Sequence, residues 1–211
     1  ELVWLEDCHG DTYDVAAVGD VVYTASHKHY CGNSGGVPQT EPWTFKHSNA
    51  WTKTVEGVNT RDIYGYPDHP GTPRPELLNW YPQTDVGTFT GKGQAVWSVS
   101  GSASGDYVVY GGEFGKVNGA VQQGLVRYAV RSLAPNSQGP RPLVSTDIWT
   151  PSAMSVASGN VRIGYSTVWD RDDTALTYRV YQDTENAAGL VDERLIDTTF
   201  WEPRQQKISQ T

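Results

Sequence analysis

Short runs of alternating apolar and polar residues recur along this chain, each cut off by a glycine-bearing turn. Thr12 to Val18 is one such run; Gly19-Asp20 breaks it, and Val21 to Ser26 follows. A glycine that can take positive φ beside an aspartate that bonds its own backbone is hairpin chemistry. The best-formed stretch lies further on. Gln94 to Ser100 predicts a strand, Gly105-Asp106 a turn, Tyr107 to Gly112 a buried strand, Val117-Asn118-Gly119 a second turn, and Gln123 to Val130 a third strand. Three strands on tight turns predict a β-meander.

The two regions align. Tyr13-Asp14-Val15 corresponds to Trp97-Ser98-Val99, Gly19-Asp20 to Gly105-Asp106, and Val22-Tyr23 to Val109-Tyr110, with His27 falling where Phe114 does. Leu2-Val3-Trp4-Leu5, Leu77-Leu78-Asn79-Trp80 and Leu125-Val126-Arg127-Tyr128 form a further recurring element. Its second interval is 48 residues and its first 75, which an insertion over residues 32–75 would explain. A period of roughly 40–50 residues with several strands per unit is the mark of propeller blades. The insertion shows no sustained period and is rich in Pro, His, Trp and Tyr, so it is expected to pack as a cap rather than hang free.

Residues 131–151 carry closely spaced prolines and read as an extended linker. Beyond it, Pro151 to Ala157, Val161 to Thr167, Ala175 to Tyr181 and Leu190 to Ile196 are strand-like, with Trp169 to Asp173 as a charged turn. That spacing suggests part of a β-sandwich. The expected architecture is all-β: two to three propeller blades over residues 1–140, then a linker and the start of a sandwich module over 141–211. A propeller closes with four or more blades. A strand-like start and a last module that stops short predict that the rest of a longer chain, or other copies, complete it.

Composition narrows the function. The 211 residues include 22 Gly, 12 Pro, 8 Trp and 12 Tyr, only 19% are charged, and the net charge is −8. Scattered cations on an acidic chain offer nothing for counterion release, which argues against nucleic-acid binding. No apolar run reaches the roughly 18–20 residues of a membrane-spanning helix. Cys8 and Cys31 sit at the ends of neighbouring strands and predict a disulfide, worth about 3 kcal/mol in the chain-entropy picture and at home in an oxidising, extracellular setting.

The run Tyr107-Val108-Val109-Tyr110-Gly111-Gly112-Glu113-Phe114 through Val117-Asn118-Gly119, followed by Leu125-Val126-Arg127-Tyr128, resembles a bacterial β-propeller repeat of the form VYVGGxF…VNG…RLARL. That repeat occurs in large secreted proteins, many of them actinobacterial, often ahead of polycystic-kidney-disease-type, fibronectin-type-III or laminin-G-like modules. Residues 8–27 resemble a degenerate copy, and Thr150 to Asp183 is similar to the front of a fibronectin-type-III-like sandwich. The resemblance implies architecture and a secreted or cell-surface location. It brings no catalytic motif.

Candidate chemistry is sparse. His27 and His29 share a strand face and with His9 or His47 offer metal ligands; a reduced Cys8/Cys31 site for zinc competes with the disulfide for the same sulfurs. Asp170, Asp172 and Asp173 could take calcium, though alternate aspartates also simply form turns; no other cofactor is expected. Asp11 and Asp14 are a conceivable carboxylate pair, and Glu113 has no evident partner. Trp43, Trp51, Tyr64, Tyr66, Trp80 and Tyr81 are candidate ligand-binding rings, with core packing as the alternative. These features favour a non-catalytic secreted or cell-surface scaffold, adhesion or assembly module that binds cell-wall polysaccharide or protein through its loops. An extracellular glycosidase-like hydrolase or its accessory domain, and a phage or secretion-system surface component, are the alternatives.

Overall fold

The computed structural model describes residues 1–134, 138–140 and 150–202, and the backbone of 206–210. Among them there is no α-helix, and one 3-10 turn, Gly32–Ser34. The strands are β1 (Thr12–Val18), β2 (Val21–Lys28), β3 (Lys46–Thr52), β4 (Gly57–Val58), β5 (Pro73–Arg74), β6 (Val96–Gly101), β7 (Tyr107–Gly112), β8 (Lys116–Val117), β9 (Ala120–Val121), β10 (Leu125–Ala129), β11 (Ser152–Ala157), β12 (Asn160–Ser166), β13 (Ala175–Tyr181), β14 (Leu190–Asp197) and β15 (Gln206–Gln210). The chain is therefore all-β. It divides into two compact units, Glu1–Asn136 and Ser137–Thr211, with the boundary inside the expected linker. Residues 135–137 and 141–149 of that linker lie outside the described residues.

The first unit holds two antiparallel meanders of the same topology, β1-β2-β3 and β6-β7-β10. They meet through β1 and β6. The Asp14 carboxylate accepts the Val99 amide at 2.9 Å, and Tyr13 packs on Trp97 with ring centroids 4.8 Å apart. The aligned turns are also neighbours: Gly19 and Gly105 both have positive φ, and a Cβ on Gly105 would lie 3.7 Å from the Gly19 amide. Val18, Ala25, Val96, Val99, Val108 and Tyr110 from both sheets form one buried core. Alternation explains this, since Val108 and Tyr110 point inward from β7 while Tyr107 and Val109 stay partly exposed.

Three expectations change. The supposed insertion over 32–75 contains β3, which pairs with β2 and completes the first meander. Leu77 bridges Trp51 on the far edge of β3, so Leu77 to Trp80 lies one strand beyond the position that Leu125 to Tyr128 occupies beside β7. Leu2 to Leu5 forms no strand; Leu2 and Val3 are exposed, and the segment is held by the Leu5 amide donating to the Pro73 carbonyl.

The second unit has a three-stranded sheet, β11-β12-β15, and a ribbon, β13-β14. Val168, Trp169, Ile196 and Phe200 are buried. The Tyr178 hydroxyl both accepts the Val168 amide (2.9 Å) and donates to the Val168 carbonyl (3.2 Å). Trp169 and Asp170, at the start of the expected charged turn, are buried. The sheets of both units are small and open.

The glycine pair of β7 has a steric cause. A Cβ on Gly112 would meet the Ala95 carbonyl oxygen at 2.0 Å and Val96 Cα at 2.7 Å, both backbone atoms. A Cβ on Gly111 would meet the Ser98 hydroxyl at 2.9 Å, with the Gly124 carbonyl oxygen no nearer than 4.0 Å. Gly112→Ala is expected to destabilise the first unit by about 1–3 kcal/mol, the scale of overpacking, and Gly111→Ala by less, read from tryptophan-fluorescence denaturation curves. Equal effects would contradict the backbone-clash account.

Candidate functional site

The Cys8–Cys31 disulfide is present, with Cα atoms 4.3 Å apart. It ties the His9↔Tyr30 bridge at the far end of β2. Around it runs a continuous row of rings. His9 stacks on Tyr30 (5.7 Å, 4°) and touches Tyr66 (4.5 Å). Tyr30 meets Tyr64 edge-on at 5.1 Å, and His29 meets Tyr66 at 5.6 Å. His29 lies flat against Trp43 (4.1 Å, 5°), and His27 against Phe45 (3.9 Å, 18°) and His47 (5.5 Å, 19°).

The strands build this row. His27 and His29 alternate at the end of β2, and Trp43, Phe45 and His47 alternate into β3, which pairs beside it. Two period-2 series on adjacent strands place their rings on one face. Tyr64 and Tyr66 come from a separate loop. The Asp62 carboxylate shapes that loop by accepting the Tyr64 and Tyr66 amides, both at 2.8 Å, and lies 3.7 Å from His9 Nε2. Burial pushes the Asp62 carboxyl up, but the Tyr66, Tyr64 and Gly65 amides and His9 together outweigh it and hold it below the usual range. At the loop's far end, buried Asp7 accepts the His69 ring and amide, both at 2.9 Å, and the Asn33 side chain at 2.9 Å.

Polar partners fix the imidazoles. Gln39 Oε1 accepts from the Tyr66 hydroxyl (2.8 Å) and from His29 Nδ1 (3.1 Å). Gln94 Oε1 accepts from His47 Nδ1 at 2.7 Å. An acceptor oxygen requires the proton on Nδ1 in both rings. Burial lowers the His27, His29 and His47 imidazoles, the last to about 4 despite the Gln94 hydrogen bond. His27, His29 and His47 therefore present uncharged rings at neutral pH, with Trp43 and Tyr64 exposed and Tyr30, His29 and His47 buried beneath.

The six candidate rings separate. Trp43, Tyr64 and Tyr66 come together here. Trp51 is wholly buried. Trp80 packs among Tyr23, Tyr110 and Tyr128 between the two meanders. Tyr81 lies under the Lys46 ammonium, 5.1 Å away. Tyr30, Phe45 and Gln39 were not singled out, and His9 and His47 were named only as metal ligands. Their signal was the double alternation of rings in 27–30 and 43–47, which hides behind a reading of the histidines as isolated ligands.

The metal and acid candidates serve other contacts. Among the described residues, one group of three potential ligands converges, Glu6, Cys8 and Cys31, and its sulfurs are joined to each other. His27 and His29 turn ring faces to Phe45 and Trp43. In the second unit, Asp170 Oδ1 accepts the Asp172 and Asp173 amides (2.7 and 3.2 Å), and Asp172 Oδ2 accepts the Gln138 amide (2.6 Å). Asp14 holds β6, Asp11 accepts the Tyr13 hydroxyl, and Glu113 accepts Thr90 and Trp97. No known protein family, curated protein or solved structure matches this chain.

His47 sets a pH dependence. Its folded-state pKa lies below the unfolded value, so the unfolded chain binds the extra proton as pH falls. Its contribution is complete above about pH 6.5 and is lost on acidification through about pH 4, amounting to about 3 kcal/mol when fully protonated. The His47→Gln variant, compared with wild type by urea denaturation at stepped pH, is expected to lose less stability between pH 6.5 and 4. Parallel profiles would contradict a buried neutral imidazole.

Proposed function

We propose that this chain is a non-catalytic module of a secreted or cell-surface protein, and that it binds carbohydrate through the ring row at the disulfide-tied end of the first unit. In this reading the two meanders are propeller blades, the second unit is the start of a sandwich module, and further blades come from the rest of a longer chain or from other copies. The observation that carries it is the paired exposure of Trp43 and Tyr64 above buried rings. Trp43 stacks on His29 and stays 45% exposed. A sugar ring has an apolar C–H face that such a surface takes by stacking, with hydroxyls left to meet polar neighbours.

Several features support a binding rather than a catalytic role. Neutral imidazoles and Nδ1–H tautomers fixed by glutamines leave rings in place without charging them. Asp7 accepts the His69 ring and amide, and Asp62 Oδ1 accepts the Tyr64 and Tyr66 amides. An intramolecular disulfide fits an oxidising compartment. Among the described residues no helix is long and apolar enough to cross a membrane.

Affinity electrophoresis in gels containing soluble cell-wall polysaccharide tests this. The wild-type chain is expected to be retarded. Trp43→Ala and Tyr64→Ala are each expected to weaken binding by about tenfold, the equivalent of about 1.4 kcal/mol, while Trp80→Phe leaves it unchanged. Retardation that survives both alanine variants would sink the assignment to this face.

A further inference from the structure

We infer that the Cys8–Cys31 bond is exchangeable: a small external thiol attacks the Cys8 sulfur, Cys31 departs, and the Glu6 carboxylate passes the proton between them. The two cysteines differ in exposure. Cys31 is wholly buried, whereas Cys8 is partly open to solvent. Access decides which sulfur of a disulfide is attacked, so the outer one receives the incoming thiol and the inner one leaves. Beside them lies a carboxylate that the carbohydrate face does not use. A Glu6 oxygen and both sulfurs fall within 4.8 Å of one another, close enough for a proton relayed by one water. Glu6 Oε1 accepts the Cys8 amide at 3.1 Å, and Oε2 pairs with the Lys28 ammonium at 3.1 Å. Burial holds the Glu6 carboxyl above its usual range; Lys28 and the Cys8 amide pull it down, and Asp7 adds to the rise. A more basic carboxylate in that place is a better proton acceptor than an exposed one.

The step balances. The thiol gives its proton to the Glu6 carboxylate and its sulfur bonds to Cys8 Sγ. The Cys8–Cys31 bond breaks, its electron pair goes to Cys31 Sγ, and Glu6 returns the proton there. The incoming sulfur is oxidised and Cys31 reduced. A mixed disulfide stands on Cys8, a free thiol on Cys31, and Glu6 is again the ionised partner of Lys28. Hydrogen bonds hold the backbone around both cysteines without the covalent bond. The Cys31 amide donates to the Val37 carbonyl (2.7 Å), its carbonyl accepts the Ser34 and Gly36 amides (3.0 and 2.8 Å), and His9 bridges Tyr30 next door. The parted sulfurs therefore stay near enough to rejoin, and exchange is reversible. None of this rests on carbohydrate binding.

The test treats the folded full chain with excess reduced glutathione, a tripeptide thiol, at stepped pH without denaturant. Acid-quenched samples are mapped by mass spectrometry. The first product is expected to carry glutathione on Cys8 and a free thiol on Cys31. Between about pH 6.5 and 8.5 the wild-type rate is expected to stay nearly level, because the shuttle uses the neutral thiol with the ionised carboxylate. Glu6→Gln must wait for free thiolate, whose fraction rises about tenfold per pH unit below a thiol's ordinary pKa of about 8.5. The variant is therefore expected to react at least about tenfold more slowly at pH 6.5 and to converge on wild type near pH 8.5. Glutathione found first on Cys31, a bond that opens only once the chain is unfolded, or parallel pH profiles would overturn the proposal. Should Glu6→Gln fail to fold, the wild-type profile decides alone: a level rate supports the shuttle, and a tenfold rise per pH unit contradicts it.

Discussion

The seam between β1 and β6 joins two sheets through the half-buried Asp14 carboxylate and close approaches at Gly101 and Gly105. Asp14 stands on one meander and accepts the Val99 amide of the other, while its second oxygen accepts the Val15 amide. A strand edge leaves amides without a ladder partner, and an aspartate at that position satisfies one without requiring a continuous sheet. Beside it, a Cβ on Gly101 would meet Val18 Cγ2 at 2.1 Å, so the glycine makes room for a side chain from the neighbouring sheet. The shared core around Val96, Val99 and Tyr110 exists only because the sheets can come this close. The aligned turns at Gly19 and Gly105 then meet at one end, and the loops gather at the other.

The disulfide-tied end follows different rules. Its interior is polar and extensively hydrogen-bonded rather than oily. Glu6 and Lys28 form a 3.1 Å ion pair, and burial holds the Glu6 carboxyl above its usual range even beside that ammonium. Asp7, Asn33, Ser34 and Asn59 form a hydrogen-bonded chain that stitches the N-terminal segment to the loop of Tyr64 and Tyr66. Removing one member of such a network leaves the others buried without partners, which costs more than the lost bond itself. Ring faces above, a hydrogen-bonded polar network beneath and a covalent tie between them hold the surface in place.

Much of this architecture was readable from alternation and turn chemistry. Tyr107 to Gly112 and Ala175 to Tyr181 are strands where their patterns place them, because one face of each is apolar. The disulfide was legible from two cysteines at neighbouring strand ends. β3 was not, and the reason is physical. Its buried positions include His47, Ser48 and Asn49, polar side chains that an apolar period cannot reveal. They are tolerated because His47 has Gln94 and Asn49 has the Ser26 hydroxyl at 2.8 Å. Leu2 to Leu5 misled in the opposite sense, an apolar run held by a loop contact. Of the ring row, Trp43, Tyr64 and Tyr66 were visible as aromatic residues. Their union with the histidines was not, since it depends on β3 pairing with β2.

Carbohydrate binding at the ring row is the central functional claim, and the eight tryptophans make it directly measurable. Indole N–H signals of the ¹⁵N-labelled full chain report each tryptophan separately during titration with soluble cell-wall polysaccharide. The ring-row account predicts that the Trp43 indole shifts progressively and saturably, while the buried Trp51 and Trp169 indoles stay where they are. A Trp43 signal that holds still while Trp80 or Trp201 moves would contradict it.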